Sequence, residues 1–139
     1  MITHIERLKE IRLYKILYWF LKITLGLTFI ASGIRKLPNI KFTELPISNP
    51  VGLFFEGMHS SGFYWNFIGY YQILFGILLM SKLYAKLTPL LIFPVTFNIF
   101  LISISLHMKG TPIITSCMLL GNIYLILWYT KSYVPILKK

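Results

Sequence analysis

The sequence predicts an all-α fold, an integral membrane four-helix bundle with a folded-back segment between helices one and two. Three observations lead there. Hydrophobic residues fill 56% of the 139 positions and charged residues only 13%, about half the charged share of ordinary soluble domains. The apolar residues gather in four long runs, each close to the ~20 residues a helix needs to cross the hydrocarbon. The cations stand at the ends of those runs, where topology signals and headgroup contacts belong. A chain this short has a large surface for its volume, and 18 charged side chains do not cover it.

Taken in order, residues 1–12, "MITHIERLKEIR", form a charged, weakly amphipathic lead-in. Ile5, Leu8 and Ile11 fall near one face, as in a short helix lying at the interface. The run that follows is too long for a signal peptide and lacks a small-x-small cleavage site. The transmembrane domain is expected over 13–130, with helices at about 13–34, 64–80, 87–106 and 112–129, and residues 131–139 as a tail. Helices are required because lipid offers no partner to an exposed backbone amide. A β-barrel would need alternation at period two, which these runs lack.

Between the first two runs, residues 35–63 mix turn formers with Phe42, Leu53, Phe54, Phe55 and Met58. A structureless loop of that length would be unusual. Asn49 before Pro50 fits an N-cap followed by proline in the first turn. A short helix near Pro50 to Met58 therefore folds back across the mouth of the bundle. The later connections are short, which makes those helices antiparallel neighbours.

Fourteen cations against four glutamates and no aspartate give a net charge of +10. A soluble chain with that balance would suggest nucleic acid. Here no basic stripe exists, so a nucleic-acid partner is not expected and the lipid bilayer is. Counting cations side by side gives ten with the termini and the second connection, against Arg35, Lys36, Lys41 and Lys109 on the other side. That imbalance places both termini in the cytoplasm. Lys22 lies about two turns inside the first run and is expected to snorkel back to the headgroups. The lone Cys117, inside an apolar run, allows no intrachain disulfide or cysteine cluster and reads as a buried small hydrophobe.

Candidate chemistry rests on polar groups among apolar ones, each unfavourable there unless paired. Trp65, Gly69, Gln72 and Gly76 share one helical face. The plainer reading is a packing seam with one interhelical hydrogen bond from Gln72; the sharper one is a ligand site. Pro94 should kink the third helix. Asn98 lies one turn later and His107 nine residues beyond it, on the opposite face of a straight helix. Thr115 and Asn122 share a face of the fourth helix, and Cys117, Gly121, Tyr124 and Trp128 form another stripe.

In the folded-back segment Glu56 and His59 are three apart, on one side of a helical turn. With Arg35 and Lys36 across the mouth, they form either a salt-bridge clasp or an anion- or quinone-holding site. Two unlike ligands are too few for a metal, and none is expected. The full candidate ligand set is Arg35, Lys36, Glu56, His59, Tyr70, Gln72, Asn98, His107 and Asn122. No nucleotide loop, metalloprotease helix, nucleophile elbow or haem-attachment motif is present.

Several stretches resemble the DoxX-like family of small membrane proteins. "FIASGIRKL" is similar to the end of that family's first helix, and "GYYQILFGILLM" to its second. "PVTFNIFLISISLHMKGTP" followed by "LLGNIYLILWY" resembles its third and fourth. The likeness covers about Trp19 to Tyr129, and the motifs are short and degenerate, so their order and spacing carry it. It implies a four-helix protein of the bacterial inner membrane, and a membrane subunit or accessory of a redox or oxidative-stress system. A quinone is the cofactor it brings in, and a redox partner protein or a second copy the partners. It carries no universal catalytic residues. Small-molecule binding or transport, or a structural partner without chemistry, are the alternatives. The same resemblance makes an oxidoreductase subunit the enzyme class, if the chain is an enzyme.

Overall fold

The computed structural model describes residues 1–138. They form seven helices: α1 (Ile2–Glu10), α2 (Arg12–Ile34), α3 (Pro50–Ser60), α4 (Phe63–Met80), α5 (Thr88–Ser105), α6 (Thr111–Trp128) and α7 (Thr130–Leu137). Four of them, α2, α4, α5 and α6, are long and apolar enough to cross a membrane. The chain is a multi-pass, all-helical bundle. Its outer surface carries large apolar side chains such as Leu13, Phe20, Leu74, Leu101 and Ile113, as a surface facing lipid requires.

Lipid tails are as apolar as leucine, so close packing rather than water exclusion must hold the spans together. The tightest seam joins α2 and α4. Gly26 faces Gly76, and Gly33 faces Gly69, so the two helices run antiparallel. A methyl group on Gly76 would lie 2.8 Å from the carbonyl oxygen of Gly26, and one on Gly33 would lie 2.6 Å from that of Gly69. No side chain fits there. The glycines bring the backbones into contact along two turns of each helix.

α6 packs on the other side of α2, α5 packs on α6, and α4 and α5 close the bundle more loosely. The core gathers Tyr18, Leu25, Phe29, Leu79, Ile92 and Leu125. Asn122 donates to the Pro89 carbonyl at 3.0 Å, and Ser103 and Thr115 share a hydrogen bond of 2.8 Å, so polar pairs tie α5 to α6 near both ends. At the termini-bearing end Tyr18 stacks on Trp128 at 4.6 Å and bonds the Tyr129 hydroxyl.

Two sequence expectations need correction, and one gains a partner. Lys22 reaches back toward the termini-bearing end, but as a buried group: it is 2% exposed, and its ammonium donates to the Ser81 carbonyl at 2.9 Å. That carbonyl lies at the C-terminal, partly negative end of α4. Cys117 is exposed on the bundle surface rather than buried. The stretch read as a tail begins with helix α7, whose Tyr133 hydroxyl reaches the Lys86 carbonyl.

Candidate functional site

Opposite the termini, the loosely joined α4 and α5 leave a cavity of about 550 Å3. α4 supplies Trp65, Ile68, Tyr71 and Gln72 to its wall, and α5 supplies Pro94, Val95, Asn98 and Ile99. Phe54, Phe55 and Met58 of α3 roof it. The roof sits there for local reasons. The Asn49 side chain accepts from the Val51 amide at 2.9 Å, and Pro50 opens the first turn. Gly52 lies against the Leu45 and Pro46 carbonyls, which fixes α3 to the incoming chain.

The floor depends on Pro94. A proline inside a helix removes one donor and pushes its ring against the preceding turn. The Tyr71 hydroxyl donates to the Leu91 carbonyl in that turn at 2.8 Å, which pins α4 to α5 below the cavity. Beneath this bond Leu25, Leu79, Ile92 and Leu125 are packed almost without exposure.

One wall carries a group of buried donors. Lys36 follows the end of α2 and is 5% exposed. Its ammonium donates to the Ser32 hydroxyl at 2.7 Å and to the Ser32 carbonyl at 3.1 Å. It also lies 4.8 Å from the centre of the Phe42 ring and 5.1 Å from that of Trp65, within cation–π range. Phe42, Phe55 and Trp65 pack on one another around it. Ser32 in turn reaches Gln72 Oε1 at 3.4 Å.

Three hydrogens of the ammonium meet two protein acceptors. No carboxylate pairs with it: among the described residues the ion pair is Glu6 with Lys9. Burial first, and the neighbouring Arg35 second, lower its pKa from 10.5 to about 8. That shift corresponds to a penalty on the order of 3 kcal/mol for the charged form.

Two more donors stand beside it. Trp65 Nε1 and Gln72 Nε2 are buried and have no hydrogen-bond partner; their residues are 3% and 1% exposed. A buried, unmatched donor is destabilising by about 1–3 kcal/mol, and native structures hold few of them. Lys36, Trp65 and Gln72 all belong to the cavity lining, while the unmatched indole and amide nitrogens are themselves enclosed by protein.

Of the candidates read from sequence, Lys36, Gln72 and Asn98 line this cavity. Glu56 and His59 line a separate recess of about 20 Å3 with Lys41 and Thr43, and His59 Nδ1 has no partner there. The salt-bridge clasp between this pair and the cations at the mouth is not formed. Arg35, Tyr70, His107 and Asn122 lie outside the cavity lining. Asn122 donates its amide to Pro89 while its Oδ1 is buried without a partner, and His107 sits in the turn after α5 with φ 49°.

Ser32, Phe42, Phe55 and Tyr71 were missed. Ser32 was findable, because it lies one turn before Lys36. Tyr71 was findable too, because Tyr70 stands about 200° around the helix from Gln72. No family model, curated protein or solved structure matches the chain.

Proposed function

We propose that this multi-pass membrane protein binds an amphiphilic small molecule in the cavity between α4 and α5. The observation that carries the reading is a largely apolar cavity with the buried Lys36 as the charged residue in its lining. Pockets for small molecules have this character: mostly apolar, with a few placed polar groups, and several hundred cubic ångströms in volume. The ligand has an apolar body and a head rich in oxygen acceptors. The packed layer beneath Tyr71 supports holding a molecule over passing it through. No acid, base and nucleophile are arranged together in the cavity, so binding is favoured over catalysis by the chain itself.

The resemblance to DoxX-like proteins supports a specific form of this reading. In that form the chain is a small membrane subunit or accessory of a redox or oxidative-stress system in a bacterial inner membrane, and a quinone carbonyl takes the donors. Ten cations on the termini-bearing side against four on the other support cytoplasmic termini.

Trp65 offers the test. In nanodiscs, decylubiquinone and dodecanoate are titrated while tryptophan emission is followed, with Trp65→Phe as the blank and Val95→Trp as a variant whose cavity is filled. A saturable change in the parent that both variants lack supports the site. If no probe gives a saturable change, or the filled variant responds like the parent, the binding reading is wrong.

A further inference from the structure

We infer that the cavity selects its ligand by charge, taking a lipophilic monoanion whose carboxylate or equivalent head pairs with Lys36. This rests on the binding reading above and replaces the neutral quinone with an acid as the preferred ligand. The observations behind it concern the imbalance of the wall. A cation buried to 5% exposure has no acid partner, and the two unmatched polar atoms beside it both donate. The acceptors nearest to hand are occupied: Ser32 by the ammonium, and Gln72 Oε1 by Ser32.

A cationic or donor-headed molecule would leave every one of these groups unmatched. A neutral carbonyl can accept hydrogen bonds but leaves the charge uncompensated. A carboxylate has two oxygens and about four acceptor sites, so it can take the ammonium hydrogen that Ser32 leaves over. It also removes the isolated charge, and hydrogen bonds between ions are roughly twice as strong as neutral ones. The aromatic group around Lys36 contributes to the same end. Phe42 and Trp65 support the ammonium through their ring faces without neutralising it.

The plainer account is a lysine that closes the end of α2, since its ammonium meets the Ser32 carbonyl one turn back. That account explains one hydrogen bond. It explains neither the full burial of the charge nor the two unmatched donors beside it.

The test compares three probes of one chain length in zwitterionic nanodiscs: dodecanoate, methyl dodecanoate and dodecyltrimethylammonium. Each is measured by Trp65 emission in the parent and in Lys36→Met, and each concentration is corrected for partitioning into lipid. Dodecanoate is expected to bind at least tenfold tighter than the ester, and the cation not to bind. Lys36→Met should erase the preference while keeping the ester's affinity; Lys36→Arg should retain it in part. Equal binding of acid and ester to the parent, or a preference that survives in Lys36→Met, overturns the charge selection and leaves the binding reading standing. Failure of all three probes, with decylubiquinone also silent, removes both. Thermal unfolding of each variant, run alongside, separates lost binding from lost fold.

Discussion

Lys22 and Lys36 lie on α2 and just beyond it, one toward each end of the bundle, and both are almost fully buried. Lys22 extends to the Ser81 carbonyl, where α4 ends and backbone acceptors are free. It meets the rings of Tyr18 and Trp19 at 5.4 and 5.0 Å and lines neither of the two cavities described above. Lys36 makes two hydrogen bonds to Ser32 and, unlike Lys22, belongs to the cavity lining. The neighbours differ in the same way. Around Lys22 the Tyr18, Tyr124 and Tyr129 hydroxyls are hydrogen-bonded across helices. Around Lys36 an indole and an amide are not. Buried polar groups stabilise a membrane bundle when they are paired and mark a site when they are not.

The largest effect that would break this comparison is in the seam that both ends share. Gly33→Leu or Gly76→Leu forces a side chain into space held by a facing backbone. Each should lower stability by about 3 kcal/mol or more, read from unfolding in mixed micelles. A variant as stable as the parent would show that the helices do not approach as described.

Lys36→Met comes next, and its sign is unusual. Removing an uncompensated buried charge should leave the ligand-free protein as stable as the parent or raise it by about 2 kcal/mol. The pH dependence follows. With the folded pKa near 8 and the ordinary value 10.5, the unfolded chain holds more protons between those limits. Stability of the parent therefore rises with pH across that window. Lys36→Met should lack the rise, and a parent curve that is flat there would contradict the burial of the charge.

Lys22→Met is the matching control, since Lys22 is also buried without a carboxylate partner. It removes one hydrogen bond to Ser81, should change stability by no more than about 1.5 kcal/mol, and should leave dodecanoate binding untouched. If the two lysine variants behave alike, the contrast between the ends fails. Smallest is Tyr71→Phe, which removes the donor to Leu91 beside Pro94 and should lower stability by about 1 kcal/mol. Its informative readout is Trp65 emission with bound probe, which should shift if the cavity floor loosens.

Much of the architecture was legible because it follows from chain-local physics. A run of apolar residues near the length of the hydrocarbon, with cations at its ends, becomes a spanning helix whatever its neighbours are. Asn49–Pro50 capped α3 as read, because a cap needs only the residues beside it. The face holding Trp65, Gly69, Gln72 and Gly76 is buried, as its periodicity required. The glycines of that face form the seam, and Trp65 and Gln72 belong to the cavity lining. Helix α7 was not legible, since eight residues with Pro135 inside them carry little helical signal.

What the sequence by itself determined is the set of spanning helices, their antiparallel order and the faces they bury, because period, length and charge placement act within each segment. Which polar groups meet was decided by the tertiary structure alone. Whether Lys36 faces Glu56 or Ser32, and whether Tyr70 or Tyr71 borders the cavity, depends on how far each helix is rotated. Those rotations are set by glycine contacts between segments some forty residues apart in sequence. A rotation of a few tens of degrees would move the buried donors off the cavity wall and leave every segment's hydrophobic pattern unchanged.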